Sequence, residues 1–153
     1  VGRPVIGCRE GADVAAGTHR TLLTETSNTW VNLHDDLHFL AGQRAFLTDS
    51  KQPEVLVVSL KDGSVIETIA APESQAVLFN PARNEAYVTH REAGKVSVID
   101  AKSYKVTKTF DTPVYPNSLA LSADGKTLYV TVKQKSTRQQ EATQPDDVIR
   151  IVL

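Results

Sequence analysis

The chain has no methionine and a single cysteine, Cys8, among its 153 residues. One cysteine excludes an intrachain disulfide, and no stretch approaches the ~20 apolar residues of a membrane-spanning helix. A formal net charge of -1 argues against a generally polybasic nucleic-acid binder, although it leaves room for a local basic face. The missing methionine indicates a trimmed initiator or a piece of a longer chain, and the repeats described below favour the piece.

Common catalytic motifs are also missing. There is no Gly-x-Ser-x-Gly nucleophile motif and no glycine-rich phosphate loop. His34 and His38 lie four residues apart and would share a face of a helix, but the glutamate of the His-Glu-x-x-His zinc motif is absent. An enzyme or metal site is therefore the weakest hypothesis, and we expect no cofactor.

The most informative feature is a repeat in the second part of the chain. Three segments superpose so that Phe46, Tyr87 and Tyr129 are equivalent: Arg44–Ser50, Glu85–Arg91 and Thr127–Lys133. The period of about 41 to 42 residues is typical of β-propeller blades. Other Val-, Ile- and Thr-rich segments keep the same phase, and turn sequences such as Lys61-Asp62-Gly63-Ser64 separate them, which predicts antiparallel hairpins.

The repeat predicts four strands per blade, lettered A to D from the innermost outwards. Several are apolar on successive residues, which a strand needs when both of its faces are covered, as they are between two blades. The expected strands are A at 76–79 and 118–121, B at 45–48, 86–89 and 128–132, C at 55–59, 96–100 and 149–153, and D at 65–69 and 106–110. The predicted fold is all-β: a partial β-propeller of about 2.5 to 3 four-stranded antiparallel blades.

These segments closely resemble the YVTN repeat. The resemblance rests on Tyr-Val-Thr-His at 87–90, Gly-Lys-Val-Ser-Val-Ile-Asp at 94–100, and the segment from Pro116 to Thr131. It departs at the fourth motif position, where His90 and Val132 replace asparagine, and the first repeat reads Phe-Leu-Thr-Asp. The resemblance implies a seven-bladed ring, a binding role and an exported, periplasmic protein.

Residues 1–42 do not keep the repeat, and residues 43–153 do. We expect the first part to be an irregular lead, with a strand near 19–25 and a damaged strand A at Leu37–Leu40. The last blade stops at strand C. A partial ring exposes blade faces and unpaired edges, so we expect the chain alone to be marginally stable or to self-associate.

The candidate binding residues come from loop topology. In a four-stranded meander the B–C and D–A loops emerge on one face, and loops on a rigid scaffold commonly carry binding sites. The last B–C loop, 133–147, is about eleven residues longer than its counterpart, basic in its first half and acidic in its second. The predicted site comprises His90, Arg91, Tyr115, Asn117, Lys133, Lys135 and Arg138.

Two functional hypotheses remain beside that of an enzyme. The first is a non-catalytic propeller module that offers this loop face to a protein or small-molecule partner. The second is an anion-binding patch, with Tyr115 as a stacking surface, which would suit single-stranded DNA. A long polar loop without any ligand would have the same sequence, and the fold itself does not choose a ligand.

Overall fold

The strands of the molecule form consecutive antiparallel sheets. The computed structural model describes residues 5–13, 18–27, 36–40, 42–48, 52–135 and 144–153. A two-stranded hairpin, β1 (Val5–Asp13) and β2 (Thr18–Ser27), comes first. The first blade consists of β3 (Asp36–Leu40), β4 (Arg44–Thr48), β5 (Glu54–Ser59) and β6 (Val65–Ala70). The second blade consists of β7 (Ser74–Asn80), β8 (Glu85–His90), β9 (Lys95–Asp100) and β10 (Val106–Asp111). The third consists of β11 (Pro116–Leu121), β12 (Thr127–Val132) and β13 (Asp147–Val152).

The predicted fold class is confirmed: the described residues form strands and turns, arranged as a partial β-propeller. In each blade the strands are hydrogen-bonded in chain order, as a meander requires. The expected strand A at Leu37–Leu40 lies in β3, so the first blade begins ahead of Gln43. The strand expected near 19–25 lies in β2, which pairs with β1. No helix of the described residues has the length and apolar character needed to cross a bilayer.

The core lies between the blades. Phe46 and Val57 of the first blade pack against Ala86 and Val88 of the second in one apolar cluster. One repeat later, Tyr87 of the second blade packs in the same way against residues of the third, which are Leu128 and Val130. This arrangement explains why the B and C strands of the second blade are apolar on successive residues: that blade is covered on both faces.

Threonines of the repeat hydrogen-bond one blade to the next. The pairing of β7 with β8 shifts register between Ser74 and Val77, and the side chain of Thr89 accepts the hydrogen bond of the Ala76 amide at 3.0 Å. The Thr89 hydroxyl in turn donates to the Asn117 carbonyl of the third blade at 3.4 Å. One repeat earlier, Thr48 donates to the Gln75 carbonyl of the second blade at 3.1 Å. Both threonines are fully buried.

The third blade has one uncovered face. Tyr129 pairs with Arg150 across β12 and β13, and its side chain is 38% exposed, whereas the equivalent Phe46 and Tyr87 are fully buried. Val148 on the same face is also exposed. In the first and second blades the equivalent face is covered by the next blade along the chain. In the third blade this face is exposed.

Candidate functional site

A series of backbone hydrogen bonds ties the B–C and D–A loops together at one end of the blades. The Arg91 amide donates to the Glu73 carbonyl at 3.0 Å, and the Arg91 carbonyl accepts from the Tyr115 amide at 2.7 Å. The Tyr115 carbonyl then accepts from the Lys133 amide at 3.0 Å. The middle bond joins the second blade to the third, so Arg91, Tyr115 and Lys133 are held as neighbours by the backbone alone.

Tyr115 has an unusual backbone conformation at the centre of this series. Its φ is +69°, and Glu73, one repeat earlier, has a φ of +58°. Side chains other than glycine seldom occupy this left-handed region, and such residues persist where their surroundings hold them firmly. Here the backbone bonds to Arg91 and Lys133 hold Tyr115 from both sides. Its ring position is thereby set by the junction of two blades.

These loops enclose an open cleft of about 510 Å³. Its lining combines basic, amide, aromatic and acidic side chains: Arg91, Tyr115, Asn117, Lys133, Gln134, Lys135 and Asp146. Five of the seven residues predicted from the sequence thus lie together around one cavity. The structure brings them from a B–C loop, a D–A loop with the start of β11, and the long B–C loop.

Arg91 lies on the ring of Tyr115. Its Cζ atom is 5.4 Å from the ring centroid, a distance at which a guanidinium is attracted by the electron-rich face of the ring. Its Nη1 donates to Oδ1 of Asn117 at 3.3 Å, and its Nε is 4.0 Å from a Glu92 carboxylate oxygen. The guanidinium is therefore oriented before any ligand arrives, which lowers the entropic cost of binding.

Lys133 forms the closest ion pair in the cleft. Its Nζ donates to Oδ2 of Asp146 at 2.6 Å, and the backbone amide of Gln134 donates to the other oxygen, Oδ1, at 2.9 Å. The hydrogen bond from Lys133, followed by that from Gln134, holds the pKa of Asp146 below its usual range. Asp146 is thus ionised at neutral pH, and it neutralises Lys133 within the cleft.

Two of the predicted site residues, His90 and Arg138, are not among the described residues that line the cleft. The ring of His90 is only 7% exposed and is absent from the residues that line the cleft. Its Nδ1 lies 2.8 Å from the Pro72 carbonyl, which can only accept, so Nδ1 carries a proton and donates. Its Nε2 lies 2.7 Å from the Ser97 hydroxyl. His90 therefore joins the end of β8 to β9 and to the connection between β6 and β7, while Arg138 lies outside the described residues.

Two lining residues were not among the predicted ones. Gln134 and Asp146 occur in the same long loop as Lys133, and the acidic second half of that loop was visible in the sequence. Opposite charges at the two ends of a loop whose flanking strands pair are a signal for an ion pair across its base. The β12–β13 pairing, which joins Val132 to Asp147, brings those two ends together.

A second concave region of about 400 Å³ lies along the inner strands. It includes His38 of β3, Gln75 of β7 and Asn117 of β11. His34, the other member of the metal hypothesis, lies outside the described residues. Among those that are described, no three His, Cys, Asp or Glu side chains are grouped as metal ligands would be.

The chain was compared with known proteins. It is 78% identical over 113 residues to the YncE protein of Salmonella typhimurium and 80% identical over 113 residues to that of Escherichia coli K12. The chain is homologous to YncE proteins. Each alignment covers 74% of this chain and 32% of the relative, so the chain spans about a third of the length of these curated relatives. Both relatives are named as uncharacterised, and no family model matches the chain.

More distant similarities concern the fold. Antigen Lp49 of Leptospira interrogans is 33% identical over 78 residues, which is 50% of this chain and 17% of that protein. The structure of Kuenenia stuttgartiensis hydrazine synthase superposes with a TM-score of 0.61 at 24% identity, covering 65% of this chain and 29% of that one. A protein of unknown function from Bacteroides caccae gives 0.61 at 11% identity, with 76% and 44% covered. At these identities the structures show a shared fold alone.

Proposed function

We propose that the chain is part of a non-catalytic binding protein of the YVTN-repeat propeller type, and that its loop-face cleft holds an anionic ligand. One observation carries the proposal: Arg91, Lys133 and Lys135, from two different loops, line a single cleft beside the ring of Tyr115. Guanidinium and ammonium groups on a rigid frame bind phosphate and carboxylate groups well. The resemblance to exported YVTN proteins supports a periplasmic location.

The chemistry of the lining supports binding rather than catalysis. The described residues around the cleft offer cations, amides, one phenol and one carboxylate. Hydrogen bonds from Lys133 and Gln134 hold the pKa of that carboxylate, Asp146, below its usual range, so it is a weak base. An effective general base has a pKa near the pH at which it works.

Single-stranded DNA is the second candidate, as a particular anionic ligand. The observation that favours it is the combination of Tyr115 with three cations, because single strands bind through phosphate contacts and stacked bases. One face of Tyr115 is covered by Arg91. A base would therefore stack on the opposite face of the ring or on the guanidinium plane.

The test is a fluorescence anisotropy titration of a labelled thymidine 12-mer at two salt concentrations, with inorganic tripolyphosphate as competitor. We expect Lys135→Ala to weaken binding and to reduce the salt slope by roughly one, because one phosphate contact is lost. The matched control is Lys102→Ala, which removes the same charge from the C–D turn at the opposite end of the second blade. Displacement by tripolyphosphate indicates an anion site that is open to small ligands.

Two results would overturn the proposal. One is binding of neither the oligonucleotide nor tripolyphosphate. The other is binding that ignores salt, or that Lys102→Ala weakens as much as Lys135→Ala does. Binding of tripolyphosphate without the oligonucleotide would keep the anion site and remove the DNA candidate.

A further inference from the structure

The ion pair of Lys133 with Asp146 places a negative group inside a cleft that is otherwise basic. The Asp146 carboxylate lies against Lys133 Nζ at 2.6 Å and is anchored by the Gln134 amide at 2.9 Å. An anionic ligand at Lys133 must share the ammonium group with the Asp146 carboxylate or replace it. The cleft therefore already contains an anion at one of its binding positions.

We propose that Asp146 is a built-in counter-anion, displaced from Lys133 by the ligand, and that it selects phosphate groups over carboxylates. This inference rests on the proposed anion-binding function. A ligand carboxylate that replaces the Asp146 carboxylate exchanges one such group for another and gains little at Lys133. A terminal phosphate group carries a charge of about -1.5 to -2 and three strong acceptor oxygens, so it also engages neighbouring donors. Lys135 lines the same cleft and has no ion pair with any described residue.

The exposure of the pair makes this displacement feasible. The side chains of Lys133 and Asp146 are 49% and 43% exposed, and exposed pairs of this kind are weak because water and salt screen them. The attraction that a ligand must overcome is therefore small. The Asp146 carboxylate is nevertheless held at a defined position in the cleft, because the Lys133 Nζ and the Gln134 amide that it contacts both belong to lining residues.

The chain offers a matched pair of variants. Asp146→Asn removes the charge but keeps an oxygen that can accept from the Gln134 amide. Asp147→Asn makes the same change one residue later, where the carboxylate accepts from the Gln134 side chain at 3.4 Å and forms no ion pair with Lys133. Both variants raise the net charge by one unit. Only the first releases Lys133.

The experiment is isothermal titration calorimetry of the full chain with inorganic tripolyphosphate and, separately, with succinate. We expect Asp146→Asn to bind tripolyphosphate roughly fivefold more tightly than the unmodified chain, the upper range for an exposed pair. Asp147→Asn should change the affinity less than twofold. In the Lys133→Ala background the gain should disappear, because the variant acts only through Lys133. Succinate should gain more than tripolyphosphate does from Asp146→Asn, because Asp146 opposes carboxylates more strongly.

The outcomes separate this inference from the proposed function. If tripolyphosphate binds in a Lys135-dependent manner but Asp146→Asn gives no gain, or a gain equal to that of Asp147→Asn, the counter-anion role is wrong and the anion site stands. A gain that survives in the Lys133→Ala background, or an unmodified chain that binds succinate as tightly as tripolyphosphate, also refutes the role. If neither the chain nor Asp146→Asn binds either anion, both proposals fail together.

Discussion

Replacing Thr89 by valine tests whether the repeat threonine stabilises the molecule by hydrogen bonding at the bulge of strand A. Valine keeps the shape of the side chain and removes the hydroxyl. The Ala76 amide, which the shifted register leaves to the Thr89 hydroxyl at 3.0 Å, then loses its acceptor. A buried amide without a partner costs about 1 to 3 kcal/mol. The second bond, to the Asn117 carbonyl, is long at 3.4 Å, so we expect a total loss of about 2 kcal/mol in the free energy of unfolding.

The assay is urea denaturation followed by circular dichroism, with Thr131→Val as the matched control. Thr131 accepts from the Ser118 amide at 2.9 Å in the same geometry, but Ser118 is exposed and Thr131 is only half-buried. Water can replace that bond, so the control should cost less than about 1 kcal/mol. The prediction would be refuted by equal losses for the two variants, or by a Thr89→Val chain as stable as the unmodified one. Either result would show that the bond between Thr89 and the Ala76 amide does not stabilise the fold.

Four further predictions concern other parts of the molecule. Gly94→Ala should destabilise the fold by about 2 kcal/mol or more, because Gly94 has a φ of +60° and a methyl group would lie 2.8 Å from the Thr112 carbonyl oxygen. His90→Ala should lower stability by about 1 to 3 kcal/mol by removing buried hydrogen bonds, with ligand affinity changed less than twofold. We expect light scattering to show self-association of the unmodified chain, and Tyr129→Lys to abolish it, because the lysine charges the uncovered face of the third blade. The pKa of Asp62 is lowered to about 2 by hydrogen bonds from Ser59 and Ser64. A carboxyl whose pKa is lower in the folded state stabilises the fold above its unfolded pKa, near 3.9, and this stabilisation is lost as the pH falls. The melting temperature should therefore fall between pH 4 and pH 2, and it should fall less in Asp62→Asn.

Each of these predictions has a control. Gly42→Ala has a similar φ of +75° but meets only the flexible Arg44 side chain at 3.6 Å, so an equal loss there would remove the steric argument for Gly94. A His90→Ala chain with normal stability and lost ligand affinity would show that His90 is a binding residue and not a structural one. Val65→Lys, on an exposed outer strand, should leave association unchanged. An Asp62→Asn chain with an unaltered loss below pH 4 would contradict the titration argument.

The positions of the strands were predictable because the turns between them contain characteristic residue types. Asp62-Gly63 between β5 and β6, and Asp124-Gly125 between β11 and β12, mark hairpins by residue type, and Gly63 and Gly125 do adopt positive φ. The convergence of Arg91 and Lys133 also followed from topology, because alternate loops of a meander share one end. Strand β3 was harder to recognise, since its first residues, Asp36-Leu37-His38, lack a run of β-branched residues.

The direction of individual side chains was not predictable. His90 is the last residue of β8, where a ring can turn towards the loop face or back into the blade. The Pro72 carbonyl and the Ser97 hydroxyl decide this, and both come from other segments. The opposite charges at the two ends of the long loop indicate an ion pair across its base, but the pairing of β13 with β12 decides that Asp146 is the partner of Lys133.

The pairing of β12 with β13 is regular along its whole length, from Thr127 opposite Val152 to Val132 opposite Asp147, although the connection between these strands is much longer than the four residues between β8 and β9. The blade thus tolerates extra residues at this point without a slip of register, because a longer loop adds little closure entropy. For protein engineering, this connection is a natural place to graft a foreign peptide. The two neighbouring blade loops would stay intact and display the graft beside Tyr115.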